Sequence, residues 1–360
     1  MSLPSSETLT EILSQYEMSA AGAVVDAVSS GLIHSTWKII LAEGSYILQR
    51  INTLVFKDPA AICNNSKQLK DFISTKDPSY LVVCPLQTKS NALVVEHNGL
   101  TYRLYSFVEG STTHDVVESP EIAEAAAKSF GKLTATLAEF DCSTLAVCIP
   151  NFHNIALRYQ KFEAALVEGN QERVKNSEEL IDFLKSQVHI VEAYCDVLYD
   201  PNFKLRVTHH DTKISNVLFS TESTSEALCI IDLDTIMPGY FISDIGDMIR
   251  TYCCSVSEEE SDFEKITFRD DIYYAILNGY LSEMEELLSD HEKECFIFAG
   301  KYMIYMQALR FLTDYLLDDM YYGAKYLDHN YVRAGNQAKL LKQLIAREPF
   351  LRENRFKEIL

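Results

Sequence analysis

The stretch Val207-Thr208-His209-His210-Asp211-Thr212-Lys213-Ile214-Ser215-Asn216-Val217-Leu218-Phe219 constrains this chain more than any other. Apolar residues lead into a short polar loop and the chain returns at once to an apolar run, a pattern that predicts strand, loop, strand. Asp211 and Asn216 are separated by four residues. In phosphoryl transfer that spacing lets an Asp contact the acceptor hydroxyl while an Asn holds a divalent metal. Lys213 would place an ammonium on the moving phosphate. Sixteen residues beyond Asn216, the apolar run Ala227 to Ile231 has ended in Asp232-Leu233-Asp234. Asp232, at that strand end, offers the hard oxygen that a second Mg2+ ligand requires. The spacing predicts phosphoryl transfer to a small molecule.

A chain of 360 residues exceeds one ordinary core and predicts two lobes. With 47% hydrophobic and 23% charged residues it has a globular balance, which excludes a disordered chain. The net charge of -20 argues against a nucleic-acid surface, which needs a basic stripe to neutralise phosphates. It leaves room for ATP, because a metal supplies much of the local positive charge. Nine cysteines without CxxC pairs or Cys/His ligand spacing predict reduced thiols, not disulfides or zinc. No secretory leader is expected from Met1 to Glu7, and no apolar run approaches the ~20 residues of a membrane span. The composition fits a cytoplasmic protein with small-molecule partners, no nucleic acid and no membrane, as a monomer or weak homodimer.

In chain order, residues 7 to 18 predict a leading helix with Leu9, Ile12, Leu13 and Tyr16 on one face. Gly31-Leu32 marks a turn before a strand ending at Ile40, and a second strand, Tyr46 to Ile51, follows across Glu43-Gly44-Ser45. Such a hairpin covers the nucleotide phosphates in kinases, or is simply structural. Asp58-Pro59 starts a helix through Leu69, Phe72 and Ile73. Three strands are expected next, Tyr80 to Cys84, Ala92 to Glu96 and Thr101 to Val108, the last two joined across Asn98-Gly99. A polar break at residues 109–113 reads as a hinge. Beyond it the pattern is helical: from Ser119-Pro120, over 177–199 with Ser177 as cap, over 258–318 and over 333–346. The expected division is 1–108 as a nucleotide-binding lobe, 109–113 as hinge and 114–360 as the catalytic and substrate-binding lobe. The fold class is α+β, with a small β-rich N-lobe, a larger mainly helical C-lobe and the site in the cleft.

His209-x-Asp211-x4-Asn216 followed by Ile231-Asp232 resembles the aminoglycoside phosphotransferase/choline kinase superfamily, which implies a protein-kinase-like fold. Within it the chain is similar to the N-acetylhexosamine 1-kinases. The stretches that carry this are Tyr46 to Asn52, Phe56-Lys57-Asp58, Ile231 to Gly239, Asp244 to Arg250 and Arg310 to Leu316. The resemblance implies ATP- and Mg2+-dependent phosphorylation of the anomeric hydroxyl of N-acetylglucosamine or N-acetylgalactosamine. Asp211 would be the base, Asn216 and Asp232 the metal ligands, and His209 and Asp244 buried supports. Thr36, Gln49, Arg50, Phe107 and Val108 would lie along the nucleotide. His34, Arg250, Arg310 and Asp314 would join Asp211 around the sugar, although Arg310 and Asp314 are one helical turn apart and can simply pair. Arg250 equally suits an ion pair. The alternative acceptor is an amino alcohol of choline or homoserine type, or an aminoglycoside.

The chain departs from the superfamily in three ways. His210 stands where most members carry Gly. The usual nucleotide-binding Lys of the second strand is missing, with Gln49 or Arg50 in its region, and strand alternation turns only one of them to the cleft. No Glu in residues 64 to 75 completes a Lys–Glu pair. The missing Lys admits an inert nucleotide-binding module, against which Asp211, Asn216 and Asp232 all stand intact.

Overall fold

The structure is a computed structural model that describes residues 3–28, 33–223 and 225–354. The Gly31-Leu32 turn expected before the first strand lies outside them. The chain forms two compact units, neither of them continuous in sequence. The smaller is Met1–Thr113, Glu139–Pro150 and Val217–Pro238; the larger is His114–Ala138, Asn151–Asn216 and Gly239–Leu360.

The smaller unit is built on an antiparallel sheet of β1 (Val24–Val28), β2 (Ser35–Leu41), β3 (Gly44–Arg50), β4 (Val95–His97) and β5 (Leu100–Ser106), in the order β1-β2-β3-β5-β4. Alternation gives the sheet two different faces. Trp37, Leu48 and Leu104 are cross-strand partners on one face and pack, with Ile39 and Tyr102, against Leu9, Ile12 and Leu13 of α1 (Ser6–Ser14). Each such side chain taken fully from water stabilises the fold by about 1.5–3 kcal/mol. On the other face Thr36, Gln49 and Arg103 form a row across three strands. The Asn98-Gly99 turn joins β4 to β5 with both residues at positive φ, 50° and 72°. The Asp58 carboxylate caps α2 (Pro59–Lys76) by accepting from the Ala61 N–H at 3.0 Å. The expected strand from Tyr80 to Cys84 is not formed. That run has strand-like composition but pairs with no neighbour in a ladder, and only Leu86 N–H donates to sheet backbone, at Leu104 O. A second antiparallel sheet, β6-β8-β9, uses β6 (Ser111–Thr112), β8 (Val217–Ser220) and β9 (Ala227–Ile230), with β7 (Arg206–Thr208) preceding β8 in the chain.

The larger unit is mainly helical: α3 (Pro120–Thr136), α4 (Ile155–Glu168), α5 (Gln171–Asn176), α6 (Glu178–Ser186), α7 (His189–Tyr199), α8 (Ile242–Tyr252), α9 (Asp270–Met284), α10 (Asp290–Glu294), α11 (Phe296–Leu316) and α12 (His329–Asn354). The α11 helix is apolar almost all round and correspondingly buried along its length. It crosses α8 at Gly246, where a Cβ would stand 2.4 Å from Ala299 O, so only glycine lets the two backbones approach this closely. That crossing anchors the helix on which the catalytic-type loop rests. The single helix expected over 177–199 is two, broken at Gln187-Val188, and the Ser177 hydroxyl donates back to Arg173 O at 2.7 Å instead of capping. Residues 258–269 hold only a short 3-10 turn, and the helix begins at Asp270. No helix among the described residues is long and apolar enough to cross a membrane.

Candidate active site

The loop after β7 is held from below by two carboxylates on the first turns of α8. Asp244 accepts the backbone N–H of His209 at 3.0 Å and of His210 at 2.7 Å, and Asp247 accepts that of Thr212 at 2.9 Å. The Thr212 hydroxyl returns a bond to Asp244 O at 2.8 Å, and Tyr252 OH donates to Thr212 O at 2.6 Å. Much of the loop backbone is therefore held by one helix. Asn216 Nδ2 donates to Asp211 O at 2.8 Å, which closes the loop. Lys213 Nζ lies 2.7 Å from Asp211 Oδ2. Burial pushes the Asp211 carboxyl up, but the Lys213 ammonium, His209 and Asn216 outweigh it and hold it below the usual carboxylate range. An ionised Asp211 can accept a proton. Asp244 goes the other way: burial, helped by the Asp247 and Asp211 charges, outweighs its two N–H donors and lifts it to about 7.

His210 adopts φ of +66°, a left-handed conformation that favours glycine, and this explains why glycine suits the position. Its ring is buried, with Nδ1 donating to Thr208 O at 3.0 Å. Gly239 makes room for it, since a Cβ there would stand 2.5 Å from His210 Nε2. From His210 an aromatic and cationic wall extends through the larger unit. His153 meets His210 edge-on at 5.2 Å and stacks on Phe152 at 4.4 Å. Arg310 lies over both the Phe152 and the Tyr322 rings, at 5.7 and 5.5 Å. Arg158 donates to the Asn151 and Phe152 carbonyls. Burial, then the neighbouring His210, Arg310, Arg250 and Arg158, push His153 well below the ordinary histidine range. The carboxylates around this wall are committed. Asp314 accepts the Tyr321 and Tyr322 N–H groups at 2.7 and 2.9 Å, so it holds the turn that presents Tyr322 and does not pair with Arg310. Arg310 instead donates to Gln307. Arg250 pairs with Asp247 and Glu258 at 2.9 Å each, and Arg333 also pairs with Glu258.

In the smaller unit Asp232 takes a left-handed conformation, φ 60° and ψ 56°, at the head of the turn Leu233–Thr235. His34, Asp232 and Asp234 offer ligand atoms within 4.8 Å of one another. His34 and Asp234 bond each other and further groups. Asp234 receives Arg103 Nη1 and Nη2 on its two oxygens, both at 2.6 Å, and His34 Nε2 at 2.7 Å on Oδ2. His34 Nδ1 accepts the Asn52 N–H at 3.1 Å, so both ring nitrogens are in use. A hard divalent ion prefers oxygen donors, which the carboxylates of Asp232 and Asp234 offer. Gln49 and Arg50 fall on opposite faces: Gln49 bonds Thr36 at 3.2 Å and receives Arg103 Nε at 3.0 Å, whereas Arg50 points to the α1 side and bonds Ser35. Phe107 receives the Lys38 ammonium 3.6 Å over its ring, and Val108 O accepts from Ser111. Sequence reasoning missed Arg103, Asp247, His153 and Tyr322. Arg103 left a trace there, as the one charge in the strand Leu100–Ser106.

This architecture is that of the protein-kinase-like phosphotransferases. The chain belongs to the phosphotransferase enzyme family (APH), whose family model matches residues 24–273. Among solved structures it is similar to an aminoglycoside phosphotransferase from Alicyclobacillus acidocaldarius subsp. acidocaldarius DSM 446, at 14% identity over 98% of this chain and 97% of that one, with a TM-score of 0.62. A microcompartment-associated aminopropanol kinase is similar at 14% identity, covering 98% and 99%, with a TM-score of 0.62. The choline kinase of Cryptosporidium parvum Iowa II is similar at 14% identity over 94% of each chain, with a TM-score of 0.53. The chain is a small-molecule phosphotransferase of the kinase type, using a nucleotide and a divalent metal.

Proposed function

We propose that the chain transfers the γ-phosphoryl group of Mg-ATP to the anomeric hydroxyl of an N-acetylhexosamine. Asp211 orients that hydroxyl and accepts its proton, which its lowered pKa allows. Lys213 neutralises charge beside it, and Asn216 and Asp232 would each offer an oxygen donor to the metal, which would supply positive charge for the phosphates. The nucleotide runs along the face of β2 and β3 that carries Thr36 and Gln49, towards Phe107 and Val108.

The observation that supports a sugar is the wall beside His210. It presents Arg310, Arg158, His153 and the Phe152 and Tyr322 rings; nearby, Asp314 is engaged by backbone N–H groups and Glu258 by Arg250. Aromatic faces suit the C–H surface of a sugar ring, and guanidinium groups suit its hydroxyl and acetyl oxygens. A cationic acceptor would meet like charge there. The second reading, an amino alcohol or an aminoglycoside, draws on the names of the structural neighbours.

One panel separates the two. With Mg-ATP, N-acetylglucosamine and N-acetylgalactosamine are expected to yield a reducing-end phosphate by NMR, while choline, aminopropanol and an aminoglycoside are not turned over. Phosphorylation of an amino alcohol and of no N-acetylhexosamine would replace the sugar reading. Asp211→Asn is expected to lose at least about 1000-fold in kcat with nucleotide affinity kept. Retained turnover would remove Asp211 from the role of base.

A further inference from the structure

We propose that Arg103 is a positioning residue for Asp232, acting through Asp234. The inference rests on the phosphotransferase reading, in which Asp232 is a metal ligand.

Arg103 is 1% exposed, and its donors are aimed at protein groups. Two parallel N–H bonds of 2.6 Å form a fork on the Asp234 carboxylate, and Nε reaches Gln49 at 3.0 Å. A guanidinium so enclosed is not a phosphate ligand. Its planar fork fixes the direction of Asp234, which a lysine's single point charge would not. His34 adds a third tether. Its Nδ1 accepts a backbone N–H, so the proton is on Nε2 and is donated to Asp234 Oδ2. The buried charges then reduce to one cation and one anion, the balance that burial demands.

Asp234 is two residues beyond Asp232, whose left-handed backbone is unfavourable for an aspartate and persists only where its surroundings over-determine it. The three tethers on Asp234 supply that constraint. The network also reaches the nucleotide-facing row, because Asp234, Arg103, Gln49 and Thr36 are linked in series by hydrogen bonds.

The test is Mn2+ binding to the full-length protein in the presence of ADP, read from the free Mn2+ signal in electron paramagnetic resonance. The wild type should bind Mn2+ with ADP. Arg103→Lys keeps the charge and loses the fork, and Arg103→Met loses both; each should weaken Mn2+ at least tenfold while ADP affinity without metal changes less than threefold. Arg103→Met alone leaves Asp234 without its cation and destabilises the fold, so Arg103→Met/Asp234→Asn is the control. Removing both charges should bring the melting temperature back towards wild type while Mn2+ affinity stays low. Wild-type Mn2+ affinity in Arg103→Lys or in the double variant would overturn the proposal and leave Arg103 as a charge-balancing group. A wild type that binds no Mn2+ with ADP would overturn the metal-dependent reading itself.

Discussion

At the scale of single residues, the most exacting fit is that of His210 on Gly239. The His210 ring is held by its bond to Thr208 O, so it cannot swing away from a methyl group placed 2.5 Å from its Nε2. Gly239→Ala is therefore expected to destabilise the protein by roughly 1–3 kcal/mol, the cost of overpacking a filled core. Adding His210→Gly removes the ring and gives the +66° backbone the residue it favours, so the double variant should recover most of the loss. Thermal denaturation of both single variants and the double checks this; strictly additive effects would mean that the two residues do not meet. The strand, loop and strand around Asp211 and Asn216 were legible from spacing alone, because such a loop is short and local. Arg103 was not, since its partner lies 131 residues away and no periodicity connects the two. The choice between Gln49 and Arg50 was half legible: alternation required opposite faces, but only the cross-strand register with Thr36 and Arg103 shows which residue takes which.

Among elements, α8 does most to shape the site. Its Gly246 crossing on α11 sets the helix, and Asp244 and Asp247 on the first turns hold the loop backbone. Burial lifts Asp244 to about 7, well above the ~3.9 of an exposed aspartate. The folded state thus favours the protonated carboxyl, and the unfolded chain releases that proton at lower pH. The resulting stabilisation is complete below about pH 4 and is lost as the pH rises through about 7. Urea midpoints measured from about pH 5 to about pH 8 should fall for the wild type and fall less for Asp244→Asn. Equal slopes would place the dependence elsewhere. Elements with their own end signals were readable in advance: α2 behind Asp58-Pro59, α3 behind Ser119-Pro120, and the β4–β5 turn at Asn98-Gly99. Tyr80 to Cys84 failed as a strand because composition supplies propensity but no ladder partner. The break in 177–199 was hidden because the apolar spacing continues through Gln187-Val188 while the backbone turns.

For the molecule as a whole, 52 acidic against 32 basic side chains leave a net charge of -20. Like charges spread over a surface repel, and salt shortens their reach to about 10 Å at 0.1 M and about 3 Å at 1 M. The melting temperature is expected to rise when NaCl is raised from about 0.05 M to about 0.5 M. A fall would show that the surface ion pairs, such as Lys67–Asp71 and Lys325–Glu259, outweigh that repulsion. The interleaving of the two units has a consequence for biosynthesis. Arg103 is made early, yet the carboxylate that neutralises it belongs to Val217–Pro238, which leaves the ribosome only after the segment Asn151–Asn216 of the other unit. Until Asp234 has emerged, burying that guanidinium would strand a charge away from water. The N-terminal sheet must then wait in an unfinished state during translation, and a nascent chain stalled before residue 234 should remain protease-sensitive around β5 even though every strand of its sheet has already been synthesised.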